Sequence, residues 1–69
     1  MEVLKINGVE KQFPAGIPAT VAELLEQLGV EAATVVADVD GEIIECEKFA
    51  TTRLHNGQSV ELLRFVPGG

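Results

Sequence analysis

The chain opens with two short runs in which apolar and polar residues alternate. In EVLKIN (residues 2–7) Leu4 and Ile6 fall on one face and Val3 and Lys5 on the other; VEKQF (residues 9–13) alternates again, with Val9 and Phe13 apolar. A period of two marks a half-buried strand, and Asn7-Gly8 between the runs is the residue pair of a tight turn, so a β-hairpin is predicted. Pro14, Gly16 and Pro18 end its second strand.

The period then changes. Val21, Leu24, Leu25 and Leu28 recur at i, i+3, i+4 and i+7 while Glu23, Glu26 and Gln27 lie outside that stripe, which predicts an amphipathic helix of about nine residues. Thr20 and Glu23 make a capping box: the threonine hydroxyl accepts the Glu23 N–H, and the glutamate carboxylate accepts the Thr20 N–H. Gly29 suits the left-handed stop position, with Val30 as the accompanying hydrophobic contact.

Strand patterning returns with TVVADV (residues 34–39), where Val35, Ala37 and Val39 share one face and Val36 and Asp38 the other. Asp40-Gly41 turns the chain into a short return strand, EIIE (residues 42–45). Cys46 to Thr52 is polar and irregular, anchored in the core by Phe49, and Leu54 leads into the turn His55-Asn56-Gly57-Gln58. The last strand, SVELLRF (residues 59–65), turns Val60 and Leu62 inward and Glu61, Leu63 and Phe65 to the opposite face.

The order β-β-α-β-β-β fits one α+β domain spanning residues 1–69, a ubiquitin-like β-grasp in which a mixed sheet curls around a single helix. Surface scaling gives about 60% of the unfolded surface buried at this size, a small but sufficient core. The sheet face away from the helix is left for partners.

Composition narrows the function classes. The net charge is −6, and the five basic residues (Lys5, Lys11, Lys48, Arg53, Arg64) are scattered, which argues against a nucleic-acid surface and favours protein partners with basic docking sites. The single cysteine, Cys46, can form no internal disulfide and no thiolate cluster, so a reducing, cytoplasmic setting is expected. Neither a leader pattern nor a membrane-length apolar run occurs in the sequence.

Candidate chemistry concentrates in the closing residues Val66-Pro67-Gly68-Gly69. Two terminal glycines arise by chance in roughly 0.5% of chains at average glycine usage. Lacking Cβ atoms, Gly68 and Gly69 suit a tail that threads a narrow channel and presents a bare carboxylate, and Pro67 favours its projection from the sheet. The bland alternative is a frayed end of small residues.

With those residues, the helix TVAELLEQLG (20–29), VVADVDGEII (35–44) and LHNGQSVELLRFVPGG (54–69), the chain resembles the ThiS family of sulfur carriers and the related MoaD small subunits of molybdopterin synthase. Cys46, where a basic residue is common, and Gln58, where an aspartate commonly follows the turn glycine, depart from that pattern.

The resemblance implies that the Gly69 carboxylate is adenylated and then converted to a thiocarboxylate that donates sulfur, to thiazole formation in thiamin biosynthesis. It implies no catalytic residue in the carrier itself. ATP and magnesium belong to an E1-like, ThiF-type adenylyltransferase; the other implied partners are a ThiG-type thiazole synthase and a sulfur donor such as a cysteine desulfurase. Molybdopterin, cysteine or methionine synthesis is the alternative destination, and a ubiquitin-like protein modifier or an interaction module with an inert tail are the alternative classes.

Two further features are weighed on the residues alone. Cys46 has Glu45 and Glu47 beside it and nothing arranged to favour a thiolate, so it is expected to be a bystander and not a partner of His55. Leu63 and Phe65, with Val36 and Val3 beside them and Glu61, Asp38 and Asp40 supplying charge, form the expected docking face.

Overall fold

Two dipeptides set the topology. At Asn7-Gly8 the φ angles are +51° and +83°, and at Asp40-Gly41 they are +51° and +91°. Positive φ at both central residues is the signature of a type I′ turn, whose twist matches that of paired strands. In the computed structural model, which describes residues 1–64, the first turn joins β1 (Glu2–Ile6) to β2 (Val9–Phe13) with Ile6 opposite Val9. The second joins β3 (Val35–Val39) to β4 (Glu42–Ile44) with Val39 opposite Glu42.

The last strand, β5 (Ser59–Arg64), lies between the two hairpins, giving a five-stranded sheet in the order β2-β1-β5-β3-β4. It is antiparallel to β3 from Val39–Val60 to Val35–Arg64, and parallel to β1 at Lys5–Ser59 and Ile6–Val60. A parallel pair cannot be closed by a tight turn. The single helix, α1 (Val21–Leu28), lies within the connection and covers one sheet face. This is the expected β-grasp.

Helix α1 is entered through Thr20, whose Oγ1 accepts the Glu23 N–H at 3.2 Å. The return bond expected from Glu23 is not formed among the described residues. Thr20 instead sits in a bridge with Arg53, flanked by Leu54 N–H to the Ala19 carbonyl (2.9 Å) and Val21 N–H to the Thr52 carbonyl (3.1 Å), and Glu23 is exposed. At the far end Gly29 (φ +71°) and Val30 donate to the Glu26 (3.2 Å) and Leu25 (3.0 Å) carbonyls, which caps the last turn as a Schellman motif.

The stripe packs as the periodicity requires: Val21, Leu24 and Leu25 are buried and Leu28 is half-buried. Val35, Ala37 and Val39 bury one face of β3, and Val60 and Leu4 supply the centre of the sheet. Phe49, 2% exposed, anchors the segment after a 3-10 turn at Cys46–Lys48. A second 3-10 turn, Ala32–Thr34, delays β3 to Val35. Val9, on the edge strand β2, is exposed, contrary to the face its alternation with Phe13 suggests.

Asn and Asp side chains stitch β5 to its neighbours. Asn7 Oδ1 accepts the Leu62 N–H (2.8 Å), Asn56 Oδ1 accepts the Val3 N–H (2.8 Å), and Asp40 Oδ1 accepts the Ser59 N–H (2.9 Å). Gln58 completes the set: its Oε1 accepts the His55 N–H (2.7 Å) and its Nε2 donates to Asp40 Oδ2 (3.1 Å). An aspartate at position 58 has no proton to donate to Asp40, so the amide found here suits this partner. No helix among the described residues is long and apolar enough to cross a membrane.

Candidate functional site

Central strand β5 runs toward the closing residues and presents one side to the uncovered face of the sheet. Its alternation buries Val60 and turns Leu62 toward the core, leaving Glu61 and Leu63 exposed on the other side. Leu63, 50% exposed, lies directly opposite Val36 on β3; Glu61 lies opposite Asp38, and Asp38 opposite Ile43 on β4, itself 55% exposed. Leu63, Val36 and Ile43 therefore surround an acidic pair on the face away from α1.

Directly opposed like charges are unfavourable in a sheet. Asp38 and Glu61 occupy such a position at the surface, and Asp38 Oδ1 is already engaged by the Gly41 N–H (2.8 Å). A basic side chain from outside would relieve the repulsion.

Of the expected docking residues, Val36, Glu61 and Leu63 are brought together, and Phe65 lies outside the described residues. Val3 is not beside them. The Gly57 N–H reaches the Val3 carbonyl at 2.8 Å, so Val3 is level with Gly57, which lies roughly 20 Å along β5 from Leu63 at strand rise. Periodicity assigned Val3 its face, but only the parallel register of β1 against β5 sets its position along the sheet. Asp40 is also withdrawn from docking, because both its oxygens serve the turn before β5.

Ile43 is the residue that sequence reasoning missed. The signal was present: a two-residue Asp40-Gly41 loop forces Asp38 opposite Ile43, which puts Ile43 on the outer face.

Cys46 is exposed and lines a shallow hollow of about 200 Å³ with Val35, Val36, Glu45 and Glu47. His55 belongs to the turn before β5, tied through Gln58 to Asp40 just beyond the other end of β3. The two are not brought together. A second hollow of about 370 Å³ runs along β4 between Glu42, Ile43, Glu45 and Lys48. Pro67, Gly68 and Gly69, where the chemistry was expected, lie outside the described residues; β5 leads to them from Arg64.

Comparison with known proteins agrees with this architecture. The chain is 35% identical over 66 residues to a thiazole synthase of Paramagnetospirillum magneticum, covering 96% of this chain and 20% of that protein. It thus spans about a fifth of the length of that curated relative. A crystal structure of the thiamine biosynthesis protein ThiS from Geobacter metallireducens superposes with a TM-score of 0.83 at 35% identity, covering 97% of this chain and 99% of that one. A solution structure of a thiamine biosynthesis protein from the same organism gives 0.77 at 36% identity, over 100% and 88% of the two chains. The ThiS family profile matches residues 2–69, from the first strand through the closing glycines, and the chain belongs to the ThiS family.

Proposed function

We propose that this protein is a stoichiometric sulfur carrier whose Gly69 carboxylate is activated by adenylation, converted to a thiocarboxylate and spent in forming the thiazole of thiamin. The observation that carries the reading is the family match through residue 69, joined to a fold whose central strand carries an apolar and acidic patch. The similarity to a thiazole synthase supports such an enzyme as the recipient.

A free carboxylate is a poor acyl donor. In the proposed sequence a Gly69 carboxylate oxygen attacks the α-phosphorus of ATP and pyrophosphate leaves, giving an acyl-adenylate. The terminal sulfur of a persulfide then attacks the carbonyl carbon and AMP leaves. A thiol then attacks the donor's own sulfur, forming a disulfide with the donor as the acyl S–S bond breaks and leaving –C(O)S⁻ on Gly69. ATP, its magnesium ion and the persulfide are supplied by partners, an adenylating enzyme and a sulfur donor such as a cysteine desulfurase; the carrier contributes reach, the absence of side chains and a docking face.

Intact-mass measurement after incubation with the adenylating enzyme, ATP and a sulfur donor tests this. A mass gain equal to exchanging one oxygen for sulfur supports the carrier. Conjugates of higher mass instead point to a protein modifier, and no change of any kind defeats the proposal.

Two variants probe the parts. Leu63→Asp is expected to weaken binding to the adenylating enzyme tenfold or more, about 1.4 kcal/mol, because it buries an unpaired charge among the apolar residues of the patch. Leu63 is half exposed, so the melting curve should move little. Calorimetric titration beside a thermal melt separates the effects, and unchanged affinity moves the docking face elsewhere. Cys46→Ser should acquire sulfur at the wild-type rate, since the sulfur rides on Gly69; a folded variant that acquires none makes the thiol a relay.

A further inference from the structure

Both asparagines of the chain, Asn7 and Asn56, are followed by glycine. Such a pair is chemically labile, because a glycine nitrogen unshielded by a Cβ attacks the asparagine side-chain carbonyl and expels its amide as ammonia. Both asparagines are exposed, and in both the side-chain oxygen accepts a backbone N–H at 2.8 Å, from Leu62 at Asn7 and from Val3 at Asn56. A donor on that oxygen stabilises the negative charge it gains during attack. The two electrophiles are matched.

The nucleophiles are not. Gly57 N–H donates to the Val3 carbonyl at 2.8 Å, so Asn56-Gly57 is clasped to both backbone groups of Val3, and the Gly57 nitrogen swings to Cγ only after its bond breaks. Gly8 N–H has no hydrogen-bond partner among the described residues. It is the second residue of a two-residue loop, where the closing hydrogen bonds belong to Ile6 and Val9 on either side. At Asp40-Gly41, a dipeptide that closes the same ring, the glycine N–H is again held, by Asp38 Oδ1 at 2.8 Å. Gly8 alone of the three has a free nitrogen.

We propose that Asn7 is a site of spontaneous deamidation in the folded protein and that the fold protects Asn56. Solvent base removes the Gly8 N–H proton, the nitrogen's electron pair bonds to Asn7 Cγ, and the bond from Cγ to the side-chain nitrogen breaks; that nitrogen takes up a proton and leaves as ammonia. Water then opens the cyclic imide at either carbonyl, adding hydroxyl to carbon and hydrogen to the Gly8 nitrogen. Opening at Cγ gives aspartate. Opening at the main-chain carbonyl gives isoaspartate, whose main chain runs through Cγ. One water is consumed, one ammonia is released, and nothing is oxidised or reduced.

The two products act differently on β5. Aspartate keeps an oxygen for the Leu62 N–H. Isoaspartate adds a main-chain carbon to a loop whose length sets Ile6 opposite Val9, and its carboxylate springs from Cα, so the Leu62 N–H loses its acceptor.

The test incubates the folded full chain in mildly alkaline buffer and follows the asparagines in tryptic peptides 6–11 and 54–64, which carry one each. Conversion changes a peptide's mass by the exchange of NH for O. The same chain in urea sets the reference ratio of the two rates. On folding, the rate at Asn7 relative to Asn56 should rise about fivefold or more, the cost of freeing one backbone hydrogen bond at Gly57. The isoaspartate form should exchange its Leu62 amide hydrogen faster than the unaged chain, while Asn7→Asp keeps that amide protected. A rate ratio unchanged by folding, faster conversion at Asn56 in the folded chain, or a folded chain in which neither site reacts while both react in urea overturns the proposal. None of these outcomes depends on the carrier reading, since neither sulfur nor an adenylating enzyme takes part.

Discussion

Deletion of Gly69 is expected to abolish ATP–pyrophosphate exchange with the adenylating enzyme and to leave no thiocarboxylate on the protein. The truncated chain ends at Gly68, with its carboxylate about 3.5 Å short of the original position in an extended chain. In-line attack on the α-phosphorus requires the reacting atoms within about 3–3.5 Å, so a shortfall of one residue exceeds the tolerance. Gly68→Val tests a separate requirement, clearance, because a β-branched side chain narrows both the dihedral choice and the width available in a channel.

Neither change removes an apolar side chain, and among the described residues the core is built from Leu4 to Val60, so melting curves should stay at wild type. If the shortened chain exchanged pyrophosphate and acquired sulfur at the wild-type rate, the terminal carboxylate would have no role and the carrier reading would fall.

The largest stability effect is expected in the helix. Leu24 is fully buried and Leu25 1% exposed, both against the sheet. Truncating either to alanine removes apolar contact and leaves a cavity that neighbouring strands cannot close, at a cost of about 2–5 kcal/mol. For a domain of this length each kcal/mol lowers Tm by roughly 4–8 °C. Against a total stability of about 5–15 kcal/mol, either variant approaches the limit of folding. Leu28→Ala, at the half-buried end of the same stripe, should cost less. Denaturant melts decide; a loss below about 1 kcal/mol at both central leucines means that the stripe does not carry the core.

The identity and order of the elements were legible because each is encoded locally. Leucine spacing and Gly29 define the helix, two glycine-containing turns define the hairpins, and alternation tells inward from outward residues in β1, β3 and β5. The closing glycines and their resemblance to a carrier family were legible for the same reason: a motif of adjacent residues needs no fold to be seen. Even the pairing of Asp38 with Ile43 was implicit in the length of the Asp40-Gly41 loop, although it was not drawn from it.

What required the tertiary structure was every relation between residues distant in sequence. Alternation gives a face but no register, so Val3 was grouped with Leu63 until the parallel alignment of β1 and β5 separated them along the sheet. Composition marks Asn7, Asp40 and Asn56 as turn residues. Only the fold reveals that their side-chain oxygens fasten β5 from both sides, and that Gln58 serves Asp40 as a donor. The chain therefore determines by itself which segments become strands and helix, since short-range sterics and hydrophobic periodicity act within a few residues. Where β1 stops beside β5 is decided by long-range backbone hydrogen bonds that no local pattern records.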